Sequence, residues 1–193
     1  MPRAREFDPA ITLNKAMDVF WQKGYANTSI DDLVTATGVN RYGLYGEFKS
    51  KHSLFLACLD HYQNEIVEMA FGVVEQPDAS LPNIRAYFNM VTGPAPAGRG
   101  DMGCLMINTA NDIAAHDKRA AKKVEKYFAR LQSGFRKALA NAKASGELPA
   151  HVDVEQMADF LIGVVQGLSV MVRSRAQPKM IANVVATALR SLD

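Results

Sequence analysis

Apolar residues recur at helical spacing along nearly the whole chain, and no run of four to eight residues alternates strictly enough to predict a strand. The expected fold class is therefore all-α, with about nine helices. Asp8-Pro9 is a strong N-cap and first-turn pair. Leu13, Met17 and Phe20 then fall on one face before Gly24 stops the helix. Thr28-x-x-Asp31 and Ser29-x-x-Asp32 both resemble a capping box, and either can open a second helix whose face carries Ile30, Leu33, Val34 and Thr37. Gly38 closes it. A third helix is expected from about Asn40 to Phe48, so a short glycine-containing turn joins the second and third helices, the spacing of a helix-turn-helix.

Ser50 can cap a fourth, longer helix with Leu54, Phe55, Cys58, Leu59, Tyr62, Ile66, Met69 and Val73 as one apolar stripe. Pro77 and Pro82 bracket the next joint, and Ile84, Tyr87, Phe88 and Val91 predict a fifth helix. The run from Gly93 to Gly100 breaks regular structure. A sixth helix from about Cys104 to Ala115 and a long seventh from Lys118 to about Ser145 follow. The eighth, Asp153 to Arg175, is apolar nearly all round and is expected to be buried on more than one side. Pro178 opens the ninth. The organisation expected is a helix-turn-helix head at residues 1–50 and a larger helical body at 51–193.

A chain of 193 residues can bury a sizeable core without staples. Two cysteines, Cys58 and Cys104, are too few for a disulfide framework and fit a reducing compartment. The charged N-terminus has no apolar segment behind it, so a cytoplasmic location is expected. Met157 to Val172 is interrupted by Asp159, Gln166 and Ser169 and is read as short of a bilayer span, so no membrane partner is expected. With 22 Lys and Arg against 20 Asp and Glu, the formal charge is only +2, and any DNA contact must come from local placement.

That placement is found in the third helix. Leu44 and Phe48 share its inward side, leaving Tyr42, Gly43, Tyr45 and Gly46 on the other, with Asn40 and Arg41 at the exposed N-terminal end. Two glycines within so short a helix cost about 1 kcal/mol each against alanine. They are understandable if the backbone must approach a major groove, where Asn pairs with adenine and Arg with guanine. Tyr45 and Lys51 suit phosphate oxygens, and the helix N-terminus at Thr28 is an anion site. Arg3 and Arg5 offer either a minor-groove arm or a solvated tail.

From Ala16 to Leu56 the ordered segments Ala-Met-Asp-Val-Phe-Trp-Gln-Lys-Gly-Tyr, Thr-Ser-Ile-Asp-Asp-Leu, Thr-Gly-Val-Asn-Arg, Leu-Tyr-Gly-Glu-Phe-Lys-Ser-Lys and Leu-Phe-Leu resemble the DNA-binding region of TetR-type transcriptional regulators. The resemblance implies a homodimer that binds a palindromic double-stranded operator, usually represses, and lets go when a small-molecule effector enters the C-terminal domain. It also implies that Thr28, Tyr45 and Lys51 touch phosphates and that Arg41 reads a base. Tyr42 and Gly43 depart from the family's usual small residue followed by Ser or Thr, and Gly46 replaces a larger side chain, which leaves the operator sequence open.

Two consecutive apolar helices at the C-terminus exceed what one subunit would cover, which predicts a dimer independently of the resemblance. Its candidate residues are Gly163 and Gly167, four apart on the eighth helix, and Val184, Val185, Ala188 and Leu189 on the ninth. The glycine pair also suits an intramolecular contact. Candidate effector contacts are Cys104, Asn108 and Asn111 on one face of the sixth helix, Gln166 on the eighth, and Phe88 as an apolar wall. Alternatively, the asparagines face water, Gln166 bonds across the dimer, and Cys104 is either an inert thiol or an electrophile sensor. Tyr87, Tyr127, Phe71, Met106 and Met171 are either further walls or plain core.

Cys58, His61 and Glu65 share a face, but no second cluster completes a metal site, and no cofactor is expected. The basic run Lys118, Arg119, Lys122, Lys123, Lys126 and Arg130 reads as a solvated face. Nucleophile-elbow, phosphate-loop, dinucleotide and zinc-protease motifs are absent, so an enzyme is not expected. A helical protein-binding adaptor, or an unfamiliar all-α enzyme, is the alternative.

Overall fold

The computed structural model describes residues 7–94 and 99–193. Arg3, Arg5 and the middle of the break between Gly93 and Gly100 lie outside them. The described residues form nine helices and no strand. They are α1 (Pro9–Lys23), α2 (Ile30–Thr37), α3 (Arg41–Phe48) and α4, which runs through Lys51–Tyr62, a π-helical turn Gln63–Val67 and a last turn Glu68–Phe71. Then come α5 (Leu81–Thr92), α6 (Leu105–Asp112), α7 (Lys118–Ser145), α8 (Val154–Arg173) and α9 (Pro178–Arg190).

Helices α1 to α3 pack around Ala16, Met17, Phe20, Leu33 and Leu44, and α4 belongs to both parts of the molecule. Its residues Leu54, Phe55, Leu56, Cys58, Leu59 and Tyr62 are all buried, so α4 is enclosed on nearly every side. The π turn explains where the expected stripe went wrong. One extra residue in that turn rotates the following segment. The inward positions become Val67, Phe71 and Val74, while Met69 is 64% exposed and Ile66 and Val73 are only half-buried.

The body is closed by α5 and α7 around an aromatic cluster. Phe71, Tyr87, Phe88 and Phe135 meet at ring-centroid distances from 5.1 to 6.2 Å. Phe88, expected in the wall of a pocket, is fully buried in this cluster instead. Arg130 on α7 fastens the end of α4, its Nε donating to Glu75 at 2.7 Å and its Nη2 to Glu68 at 2.5 Å.

Helix α8 departs from expectation. Ala158, Leu161, Val165, Leu168 and Ser169 are buried against the subunit, but Phe160 and Val170 are 45% and 53% exposed, and Gly163 and Gly167 also lie open. Apolar all round in sequence, it is covered on one side only. By length and mean hydropathy α8 is also sufficient to cross a bilayer, which its polar interruptions had argued against.

Head and body are joined by polar fastenings as well as by the α4 core. Arg173, at the end of α8, donates from Nη1 to the Trp21 carbonyl and from Nη2 to the Gln22 carbonyl, each at 2.9 Å. These are C-terminal carbonyls of α1, which have no partner within the helix. The Asp112 carboxylate at the end of α6 accepts from the Tyr25 N–H at 2.9 Å. His52 of α4 bonds to Asp117, which caps α7 by accepting from the Arg119 and Ala120 N–H groups. Against the opposing effect of burial, the Ala120 N–H, His52 and the Arg119 N–H hold the Asp117 carboxyl below its ordinary range. Replacing Arg173 with Leu leaves the Trp21 and Gln22 carbonyls without their donors and should lower unfolding stability by about 1–3 kcal/mol, as measured by urea denaturation.

Candidate functional site

The turn between α2 and α3 follows from two caps and one glycine. Ser29, not Thr28, is the N-cap of α2. Its Oγ accepts from the Asp32 N–H at 3.0 Å, and the Asp32 carboxylate accepts from the Ser29 N–H at 2.9 Å. Gly38 ends α2 at φ +75°, a conformation that side chains rarely adopt. Asn40 then caps α3, its Oδ1 accepting from the Gly43 N–H at 2.8 Å.

Lys23 reaches Asp32 at 2.7 Å. Together with the Ser29 N–H and hydroxyl, it draws the Asp32 carboxyl down to about 2. The cap is therefore fully charged at neutral pH.

The expected DNA-facing residues divide into two groups. Arg41, Tyr42, Tyr45 and Gly46 are exposed along α3, with Tyr42 at 92% and Tyr45 at 38%. Arg41 Nη2 pairs with Asp31 Oδ1 at 2.9 Å on the open surface. An exposed pair of this kind is worth little and is readily exchanged. Nothing lies within 4 Å of a Cβ built on Gly46, so its outward side is open, while its carbonyl accepts from Lys49 Nζ at 2.9 Å.

Gly43 is different. A Cβ at this position would come within 2.8 Å of Val39 Cγ1 and 3.3 Å of Phe7, so its lack of a side chain serves internal packing. Asn40 has its oxygen committed to the cap, which competes with two-point pairing to adenine. Thr28 is 1% exposed and donates its hydroxyl to the Gly24 carbonyl at 2.6 Å, so it holds the loop before α2 and presents no surface to a phosphate. Lys51 stands in the first turn of α4, half-buried, with Nζ over the Tyr25 ring at 4.4 Å. Desolvation lowers its pKa, opposed by Asp112 and Asp32.

In the body a cavity of about 620 Å³ opens between α4, α5, α7, α8 and α9. Its wall is mainly apolar and includes Ile66, Val67, Leu131, Val165, Leu168 and Ile181. Cys104, the N-cap of α6, lines it, as do the phenols Tyr62, Tyr87 and Tyr127; the Cys104 thiol lies 3.5 Å from the Tyr127 hydroxyl. Burial, followed by the neighbouring Cys104, raises the pKa of all three tyrosines, so they stand as neutral hydroxyls. The other expected ligand residues are elsewhere. Asn108 and Asn111 border a shallower depression beside Phe20 and Tyr25, where the Asn108 amide donates to the Met102 carbonyl at 2.9 Å. Gln166 is exposed on the outer side of α8.

Sequence reasoning missed Trp21, Arg99 and Ser169, which also line the cavity. Trp21 reads as a core position of α1, and no local pattern links residues so far apart in the chain. Cys58 and His61 do not form a ligand set with Glu65. Cys58 is buried against the Leu13 carbonyl and Glu65 is exposed, and among the described residues no group of three potential ligands converges on a metal position.

Residues 13–58 match the bacterial regulatory proteins of the tetR family, and residues 80–188 match the tetracyclin repressor-like C-terminal domain. The chain belongs to the TetR family. It is a DNA-binding transcriptional regulator. The HTH-type transcriptional repressor ComR of Escherichia coli (strain K12) is 32% identical over 97% of this chain and 90% of its own length. The uncharacterized HTH-type regulator YezE of Bacillus subtilis (strain 168) is 28% identical over the full length of both. A cysteine-substituted form of the TetR family regulator CifR, complexed with 26-bp double-strand operator DNA, superposes at a TM-score of 0.87 with 27% identity, covering 99% of this chain and 100% of that one. These relatives are transcriptional regulators, not enzymes.

The TetR C-terminal helices divide the expected dimer residues. A Cβ on Gly163 or Gly167 would meet nothing within 4 Å, so the glycine pair makes no intramolecular contact. Val185 and Ala188 are buried inside the subunit and do not belong to an outer face, while Val184 and Leu189 are half-buried. The open side of α9 carries Met180, Asn183 and Thr187 instead.

The two glycines of α3 should respond oppositely to alanine. Gly46→Ala should raise stability by about 1 kcal/mol through helix propensity and weaken DNA binding. Gly43→Ala should destabilise the head through its clash with Val39. Thermal unfolding and DNA titration of both variants separate the effects. The Asp32 carboxyl, held low in the folded state, contributes stability fully present above about pH 4 and lost as pH falls toward 2. Asp32→Asn should therefore remove part of the pH dependence of unfolding in that window, as followed by circular dichroism.

Proposed function

We propose that this chain is a cytoplasmic, effector-released repressor whose homodimer binds a palindromic operator. The head, residues 1–50, carries α3 into the major groove, and the body, 51–193, supplies the dimer interface and the effector cavity. The observation that carries this reading is the outward face of α3, where Arg41, Tyr42, Tyr45 and the open side of Gly46 stand uncovered. Arg41 exchanges Asp31 for a guanine edge, with Tyr45 and Lys51 on phosphates. The Tyr25 ring holds the Lys51 ammonium in place for that contact.

The open strip Phe160, Gly163, Gly167 and Val170 on α8 supports a twofold bundle built with α9 of each subunit. Small residues in that strip let two helices approach closely. Twofold symmetry sets the recognition helices roughly 34 Å apart, one turn of duplex. An effector releases DNA by binding more tightly to a state in which that spacing is lost. The fastenings of α1 and α4 to the body carry the change between the cavity and α3.

Selection from a random duplex pool, followed by salt titration of the enriched site, tests the reading. One palindrome with a steep salt slope is expected, whereas no enrichment by folded dimer would overturn it. On that site Arg41→Ala should cost about 1–3 kcal/mol and relax one base position, and Lys51→Ala should weaken every sequence alike.

A further inference from the structure

The cavity has a distinctive chemical inventory. Among the described residues that line it, none is an aspartate, glutamate or lysine. Arg99 carries the one formal charge among them, and that charge is met by Asp18 of α1, with Nη2 to Oδ1 at 2.8 Å. What remains is apolar wall with neutral donors set into it. Tyr62, Tyr87 and Tyr127 surround the Cys104 thiol at one side, each at least 95% buried. Trp21 is 5% exposed, and its indole N–H has no hydrogen-bond acceptor among the described residues. A buried donor left unpaired costs free energy, and this one belongs to a side chain that lines the cavity.

Trp21 does not belong to the body. It is part of α1 in the head, stacks edge-on with Tyr62 of α4 at 4.9 Å, and lies under the Arg99 guanidinium at 5.5 Å. Its backbone carbonyl is one of the two held by Arg173. One residue thus forms a wall of the cavity and part of the seat of α1.

We infer that the cavity takes an uncharged, largely apolar molecule with a hydrogen-bond-accepting oxygen, gripped by the phenol hydroxyls, and that Trp21 brings α1 into direct contact with it. The assignment deepens the effector-release reading and rests on it for its regulatory meaning. A cation finds no carboxylate in the wall. An anion meets an arginine already neutralised by Asp18. A hydrocarbon without oxygen fits the wall and leaves the donors unmet.

Trp21 is the only tryptophan of the chain, so its fluorescence reports on this cavity alone. Titration of the full-length protein with benzylacetone, butylbenzene, phenylbutyrate and phenylbutylammonium compares one skeleton carrying a ketone, no oxygen, a carboxylate and an ammonium. Benzylacetone should shift the emission saturably and bind at least about tenfold more tightly than either charged probe. In the double variant Tyr87→Phe and Tyr127→Phe, benzylacetone affinity should fall about tenfold while butylbenzene changes less than twofold, as expected for the loss of a hydrogen bond. A charged probe that binds best, an equal loss for both neutral probes, or no saturable response to benzylacetone would overturn the assignment.

Labelled operator, followed by anisotropy in the same titrations, separates the two readings. If the emission and tyrosine results hold but the operator stays bound, the ligand assignment stands and effector release fails. Release of operator without any change at Trp21 would overturn the assignment.

Discussion

The guanidinium of Arg173 sits at the C-terminal end of α1, where the Trp21 and Gln22 carbonyls have no partner within the helix and a positive charge is electrostatically favoured. The geometry of the head relative to the body depends on this seat. Helix α1 carries Ala16, Met17 and Phe20, buried in the core where α2 and the start of α4 pack against it. Held at its end, α1 ties α8 to the helices of the head. Asp112 and the His52–Asp117 bond add fastenings from α6 and α7, so the head is attached to several body helices and does not hang from α4 alone.

The proposed recognition surface relies on what its neighbours leave uncovered. Asn40 and Gly43 give their polar and steric properties to the capping and packing of α3, and Thr28 and Ser29 do the same for the entry to α2. Because those residues satisfy the backbone, Arg41, Tyr42 and Tyr45 remain exposed at the surface. The Asp31 partner of Arg41 is itself exposed, which keeps the pair easy to exchange.

The proposed dimer face and the cavity are opposite consequences of one helix. The side of α8 carrying Leu161, Val165, Leu168 and Ser169 closes the body and lines the cavity in part, while Phe160, Gly163, Gly167 and Val170 face outward. The Cys104 N–H donates to Ser169 Oγ at 2.8 Å, which ties the N-terminus of α6 to the inner side of α8. A change in cavity contents therefore bears on the helix whose outer strip is the proposed dimer face.

Local chemistry in the sequence determined the all-α class, the helix boundaries set by Asp8, Pro9, Gly24, Gly38, Ser50 and Pro178, and the exposed quartet of α3, because caps, breakers and apolar spacing act over a few residues. The TetR family was legible there too, since its motifs lie within one short stretch. Other assignments required the tertiary structure. The π turn in α4 shifted the buried register by one residue, and Asn40 and Gly43 proved to serve α3 itself. Val185 and Ala188 turned inward, and Trp21 of the head met Tyr62, Arg99 and Arg173 at the cavity. Spacing along a chain specifies which residues share a helical face, but what covers that face is decided only when distant helices pack.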